Sequence, residues 1–166
     1  MKVIAIDPGT TQSAWVIIDS ETLKPEKAGI DENEDLLWML KTMDMSMEDR
    51  CAIEMIASYG MPVGKEVFET CVWIGRFFEI MNLRSAHNVE LIYRREEKLH
   101  ICESPKANDA TIRHALIDRF AEHDFKFGRG TKKNPDWFYG FRQDMWAAYA
   151  VGLTFIETKL TYTAVG

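Results

Sequence analysis

The sequence predicts an α/β or α+β domain, a mixed sheet led by a β-hairpin and flanked by helices, and three observations predict it. Two short apolar runs rich in β-branched residues, Lys2 to Asp7 and Ser13 to Asp19, face each other across a Pro-Gly-Thr-Thr turn. Two later runs of the same kind, Arg50 to Ala57 and Val89 to Tyr93, alternate with stretches of helical periodicity. No repeat or low-complexity linker divides the 166 residues, so residues 1–160 form a single domain with its own core and 161–166 a short tail.

Each element has a local reason. After the hairpin, "ETLKPEKAGI" adds a third strand interrupted by Pro25, which suits an edge or a bulge. Glu34 to Met43 places Leu36, Leu37, Met39, Leu40 and Met43 at mostly helical spacing, a short amphipathic helix. Arg50 to Ala57 reads as a buried strand, although Glu54 stands at its centre. Val63 to Ser85 forms a long helix with Val63, Val67, Cys71, Ile74, Phe78 and Met81 on one stripe. Lys106 to Ala121 is a further helix with Ile112, Ala115, Leu116 and Phe120 inward. Gly, Pro, Asn and charge make Phe125 to Asp136 a loop. The last helix runs from about Gly140 to Lys159, and its small residues allow close approach to a sheet.

Composition removes several function classes. No run reaches the roughly 18 apolar residues of a membrane span, and the short N-terminal apolar run ends in an acid, unlike a signal peptide. Three cysteines, far apart and without a Cys-x-x-Cys pair, give neither a disulfide framework nor a zinc site, which places the protein in a reducing cytoplasm. The net charge of -6 opposes nucleic-acid binding as a sum, but its distribution is uneven. Acids crowd 31–49, whereas Lys126, Arg129, Lys132 and Lys133 share one segment and Arg94, Arg95 and Lys98 another.

Three acids sit among apolar neighbours: Asp7 at the end of the first strand, Glu54 within Ile-Glu-Met-Ile, and Asp144 before Met-Trp-Ala-Ala-Tyr. Burying and clustering carboxylates is costly, and a divalent cation removes both penalties. Mg2+ prefers oxygen ligands, and two such ions clamp the attacking and leaving oxygens of a phosphodiester. The bland readings are an Asp7 that opens a turn, a Glu54 paired with a buried cation, and an Asp144 that favours a helix start.

The pieces "VIAIDPGTTQSAWVIID", "CAIEMIASYG" before a long helix, "KANDATIRHALIDRF" and "DMWAAYAVGL" resemble, in this order, the RuvC family of Holliday junction resolvases within the RNase H-like superfamily. The resemblance runs from Lys2 to about Thr158, and the short acidic chain looks most like the phage-borne branch, which would place it in a bacterial host's cytoplasm. It implies an RNase H-like fold, a Mg2+-dependent nuclease in which Mn2+ substitutes, two ions per site, branched DNA as substrate and a homodimer. It maps catalytic and metal-binding carboxylates onto Asp7, Glu54 and Asp144. The family's fourth ligand, an acid or His one turn earlier, falls on Phe141, which binds no metal; Asp136, Gln143 and Asp109 are the possible substitutes. Lys98 and Lys106 are the nearest matches to the family's lysines, Tyr59 to its junction-centre aromatic, and Lys132 and Lys133 supply further basic charge for substrate. The long helix, with Trp73, Phe77 and Phe78 around it, is the expected dimer interface.

Other readings stay open on the sequence. An Asp-x-Gly-Thr-Thr pattern also resembles the phosphate loop of actin-like ATPases and sugar kinases, which need a second domain and a second Gly-rich loop. An RNase H-like nuclease for forks, flaps or RNA-DNA hybrids would share these residues. A catalytically silent branched-DNA-binding module would explain Phe141.

Overall fold

The computed structural model describes residues 1–84 and 89–160; the expected tail at 161–166 and the end of the long helix at Ser85 lie outside the described residues. Strands β1 (Lys2–Asp7), β2 (Gln12–Asp19), β3 (Pro25–Glu32), β4 (Arg50–Met55) and β5 (Val89–Tyr93) form one sheet in the order β3-β2-β1-β4-β5. The first three strands pair antiparallel, and β4 and β5 join β1 in parallel, which makes the sheet mixed.

The hairpin forms as its sequence directs. A side chain at Gly9 would collide with the Gln12 carbonyl, so the turn requires glycine there. Ser13 Oγ donates to Asn33 Oδ1 at 2.5 Å and accepts from the Gly9 N–H at 3.2 Å, while Asn33 Nδ2 donates to the Gly9 carbonyl at 2.9 Å. The turn behind Asp7 is thereby pinned to the start of helix α1 (Asn33–Thr42). Strand β3 lies at the sheet edge, where Pro25 at its first position leaves no ladder bond unmade.

Alternation divides the core in two. Ile4, Ile6, Trp15, Ile17, Cys51 and Ile53 point to α1 and α2 (Lys65–Arg84). Val3, Ala5, Val16, Ile18 and Ala52 point the other way, to α4 (Asp109–Phe120) and α5 (Met145–Phe155). Helix α5 lies close on the sheet: a Cβ at Gly152 would stand 2.5 Å from Ile18 Cδ1 and 2.8 Å from Ala5 Cβ. This is the close approach expected from its small residues.

Several boundaries differ from the sequence reading. Strand β4 stops at Met55, and α4 begins at Asp109 because Asn108 Oδ1 caps the Thr111 N–H at 2.9 Å. The last helix starts at Met145, not Gly140, and ends in a π turn at Ile156–Leu160. Helix α2 buries Thr70, Ile74, Phe77 and Met81, so the inward stripe is rotated from the expected one and Phe77, fully buried, belongs to the core and not to a surface. Between β5 and α4 stands a helix the periodicity did not predict, α3 (Arg94–Cys102). Its sequence, "RREEKLHIC", is too charged to carry an apolar stripe, and its one buried residue is Glu97.

Candidate functional site

The alternation that sorts the core also aims the acids. On β1, Val3 and Ala5 face α5, so Asp7 faces it too. On β4, Ala52 faces α5 and Glu54 follows by the same rule. The parallel register pairs Ala5 with Ala52 and Ile6 with Ile53, which sets Asp7 and Glu54 on neighbouring strands one rung further, at the carboxyl ends of β1 and β4. Burial raises the Asp7 carboxyl well above the ordinary range, and the adjacent Glu54 charge raises it further. Burial raises Glu54 as well, opposed by the Arg94 guanidinium. The two carboxyls are raised together, because burial and mutual repulsion disfavour charge on both at once.

Asp144 comes to them from α5. It occupies the N-cap position, yet its side chain makes no capping bond, so the helix start does not use this carboxylate. Its charge reaches both Asp7 and Glu54. The three acids singled out in the sequence are thus electrostatically coupled.

A fourth carboxylate joins them that sequence reasoning missed. Glu97 on α3 is fully buried. Its Oε2 accepts from Arg94 Nη1 at 2.6 Å, and its Oε1 has no hydrogen-bond partner among the described residues. Burial and then the charge of Glu54 push its pKa up to about 9. Arg94 also pairs with the exposed Asp109, so one guanidinium serves an acidic group that outnumbers it. The sequence carried no signal for it, because no apolar run flanks Glu97 to mark it as buried.

The remaining candidates are placed as follows. Phe141 is 2 % exposed and packs on Phe138 and Trp146 at ring distances of 5.2 and 5.3 Å, so position 141 serves the core. Asp136 is no substitute for it: its carboxylate accepts from the N–H groups of Glu122, His123, Asp124 and Trp137, which hold it well below the usual range. Asp109 is engaged by Arg94, whereas Gln143, in a left-handed conformation at φ 42°, lines the cleft beside Asp144. Lys98 is partly exposed one position after Glu97, Lys106 is exposed between α3 and α4, and neither forms an ion pair among the described residues. Tyr59 is 61 % exposed in the loop after β4 with φ 46°. Lys132 and Lys133 are exposed at the tip of a turn closed by hydrogen bonds between Thr131 and Asn134.

Oxygen-only donors, mutual repulsion and the orphaned Glu97 Oε1 fit a hard divalent cation in chemistry. Among the described residues, no three His, Cys, Asp or Glu side chains are already gathered into a cage for one. No helix among them is long and apolar enough to cross a membrane.

Comparison with known proteins places the fold. No family model matches the sequence, and no curated protein matches it. Among solved structures, RuvC of Thermus thermophilus superimposes with a TM-score of 0.67 at 14 % identity, over 100 % of this chain and 97 % of that one. The same organism's RuvC in complex with a Holliday junction substrate gives 0.66 at 13 % identity, over 100 % and 96 %. The chain therefore has the RNase H-like mixed sheet of those structures.

Proposed function

We propose that the protein is a divalent-metal-dependent endonuclease that resolves four-way or otherwise branched DNA by hydrolysing phosphodiesters. The observation that carries this reading is the coupled group of Asp7, Glu54, Asp144 and Glu97 on an RNase H-like sheet similar throughout its length to RuvC. Asp7, Glu54 and Asp144 would hold Mg2+ or Mn2+, two ions in the family's manner, and Glu97 offers the oxygen that Phe141 lacks. The ions supply activation of a water and neutralisation of charge on the scissile phosphate.

The chain's own residues do the rest. Asp7 must release its proton for the group to hold cations, so binding and proton loss are linked. Arg94 supplies a fixed positive charge beside the carboxylates and, with the partly exposed Lys98 and the exposed Lys106, is suited to phosphate oxygens. Lys132, Lys133 and Tyr59 are exposed for contact with the arms and centre of a junction.

A junction has two symmetric strands to cut, which suits a two-fold dimer. The outer stripe of α2, with Phe68, Val72 and Leu83 each more than 60 % exposed, is the surface for it.

The test is cleavage of an end-labelled four-way junction beside linear duplex, fork, flap and RNA-DNA hybrid, in Mg2+ and Mn2+, by wild type and Asp7→Asn. Paired nicks in opposing strands, lost in the variant while binding persists, are expected. Fork, flap or hybrid cleavage alone would change the substrate, and junction binding with neither cleavage nor metal uptake would make the chain a silent DNA-binding module.

A further inference from the structure

Beside the carboxylate group, α4, the start of α5 and the loop at 125–127 enclose a cleft of about 780 Å³. Asp144 stands on its wall, so the cleft and the carboxylates share a border. Its other notable walls are aromatic and cationic: Trp146, Phe125 and Phe127, with Arg113 and Lys126. The Arg113 guanidinium lies 4.8 Å from the Trp146 ring centre and the Lys126 ammonium 5.0 Å from that of Phe127.

Two phenyl rings remain in water here, Phe125 at 67 % and Phe127 at 44 % exposure, and the backbone that presents them is fixed. Asp124 accepts from the N–H groups of Phe127, Arg129 and Gly130 at 3.0, 3.1 and 2.9 Å. Asp136 in turn accepts from the Asp124 N–H at 2.6 Å. Two carboxylates thus fix the backbone of the turn that carries both rings, and the rings themselves stand exposed outside the core.

The charges on the cleft are mixed. Arg94, Arg113 and Lys126 face Asp109, Asp118 and Asp144. A run of phosphates needs a cationic track, which this is not. A nucleobase carries no net charge, stacks on aromatic and guanidinium faces, and tolerates both signs at its edges.

We propose that the cleft takes an unpaired nucleobase, displaced from the branch point next to the phosphate that the carboxylates engage, with Phe125 and Phe127 as its stacking surface. This rests on the reading of the chain as a branched-DNA nuclease and names a subsite for it. The subsite is separate from Tyr59 and from the lysine pair at 132–133. It favours junctions and forks over intact duplex because a base at a branch point or in a single strand costs less to unstack than one inside a continuous duplex.

The test measures affinity for a fluorescent four-way junction and for a single strand, together with junction cleavage, for wild type, Phe125→Ala/Phe127→Ala and Phe125→Trp/Phe127→Trp. A junction carrying 2-aminopurine beside the mapped nick reports stacking directly. Loss of a stacking surface worth about 1–3 kcal/mol per base weakens binding about fivefold or more in the alanine pair. The tryptophan pair retains affinity and 2-aminopurine quenching. Equal affinity, cleavage and quenching in wild type and the alanine pair would overturn the base cleft and leave the nuclease standing. No DNA binding by wild type would overturn both. Both rings are exposed, and an unchanged thermal midpoint confirms folding of the variants.

Discussion

Arg94 donates to one oxygen of Glu97 at 2.6 Å while the other oxygen of Glu97, equally buried, has no partner among the described residues. Half of this carboxylate is satisfied from within the chain, and the other half is held toward a group of acids with which it shares charge. The folded chain keeps a proton on Glu97 with a pKa near 9, above the ordinary value of 4.5. The folded state then binds more protons than the unfolded one between those values, so metal-free stability falls as pH rises through the window. Glu97→Gln cannot ionise and flattens that slope. Thermal midpoints in EDTA from about pH 5 to 9 check it, and parallel curves would remove Glu97 from the coupled group.

Metal uptake gives the opposite trend. Binding must displace protons from Asp7 and Glu97, so Mn2+ affinity rises with pH and protons are released. Calorimetry in two buffers of different ionisation heat reads the proton count. Asp7→Asn and Glu97→Gln each lower it, and a count of zero in wild type would contradict the assignment.

The position of Asp144 depends on how closely α5 lies on the sheet. Gly152→Val places methyl groups where Ile18 Cδ1 and Ala5 Cβ already stand, 2.5 and 2.8 Å from the first added carbon. Overpacking of this kind costs about 1–3 kcal/mol. A lowered urea midpoint is expected together with loss of cleavage. Gly75→Ala on α2, where nothing lies within 4 Å of the added carbon, keeps cleavage and raises the urea midpoint by the helix-propensity gain of about 0.5–1 kcal/mol.

Asp136 holds the long loop through four backbone donors. Asp136→Ala strands those N–H groups, at about 1–3 kcal/mol for each one that water does not reach. Its pKa is depressed in the folded chain, so its contribution is present above the unfolded value and is lost as pH falls. Wild type therefore loses stability in acid faster than the variant does. Denaturant titrations at neutral and acid pH decide it.

The outer stripe of α2 gives a separate prediction. Val72→Glu/Leu83→Glu adds charge to residues that are 63 % and 67 % exposed, so the monomer folds unaltered. Light scattering at micromolar concentration is expected to read a dimer for wild type and a monomer for the variant. A monomeric wild type would exclude the proposed interface.

The sequence by itself determined the hairpin, the later strands of a mixed sheet, the inward Ile112 and Leu116 of α4 and the presence of acids at 7 and 54 on otherwise apolar strands. These follow from local alternation, turn chemistry and the cost of a carboxylate in an apolar run, all carried within a few neighbouring residues. Only the tertiary structure decided that α3 is a helix and that its buried side is an acid, because Glu97 is buried by other elements and not by its own helix's apolar stripe. Likewise nothing in one dimension says what Phe141 and Asp136 touch. In three, the first is spent on Phe138 and Trp146 and the second on four backbone amides, because packing assigns each side chain to whichever neighbours the fold brings to it.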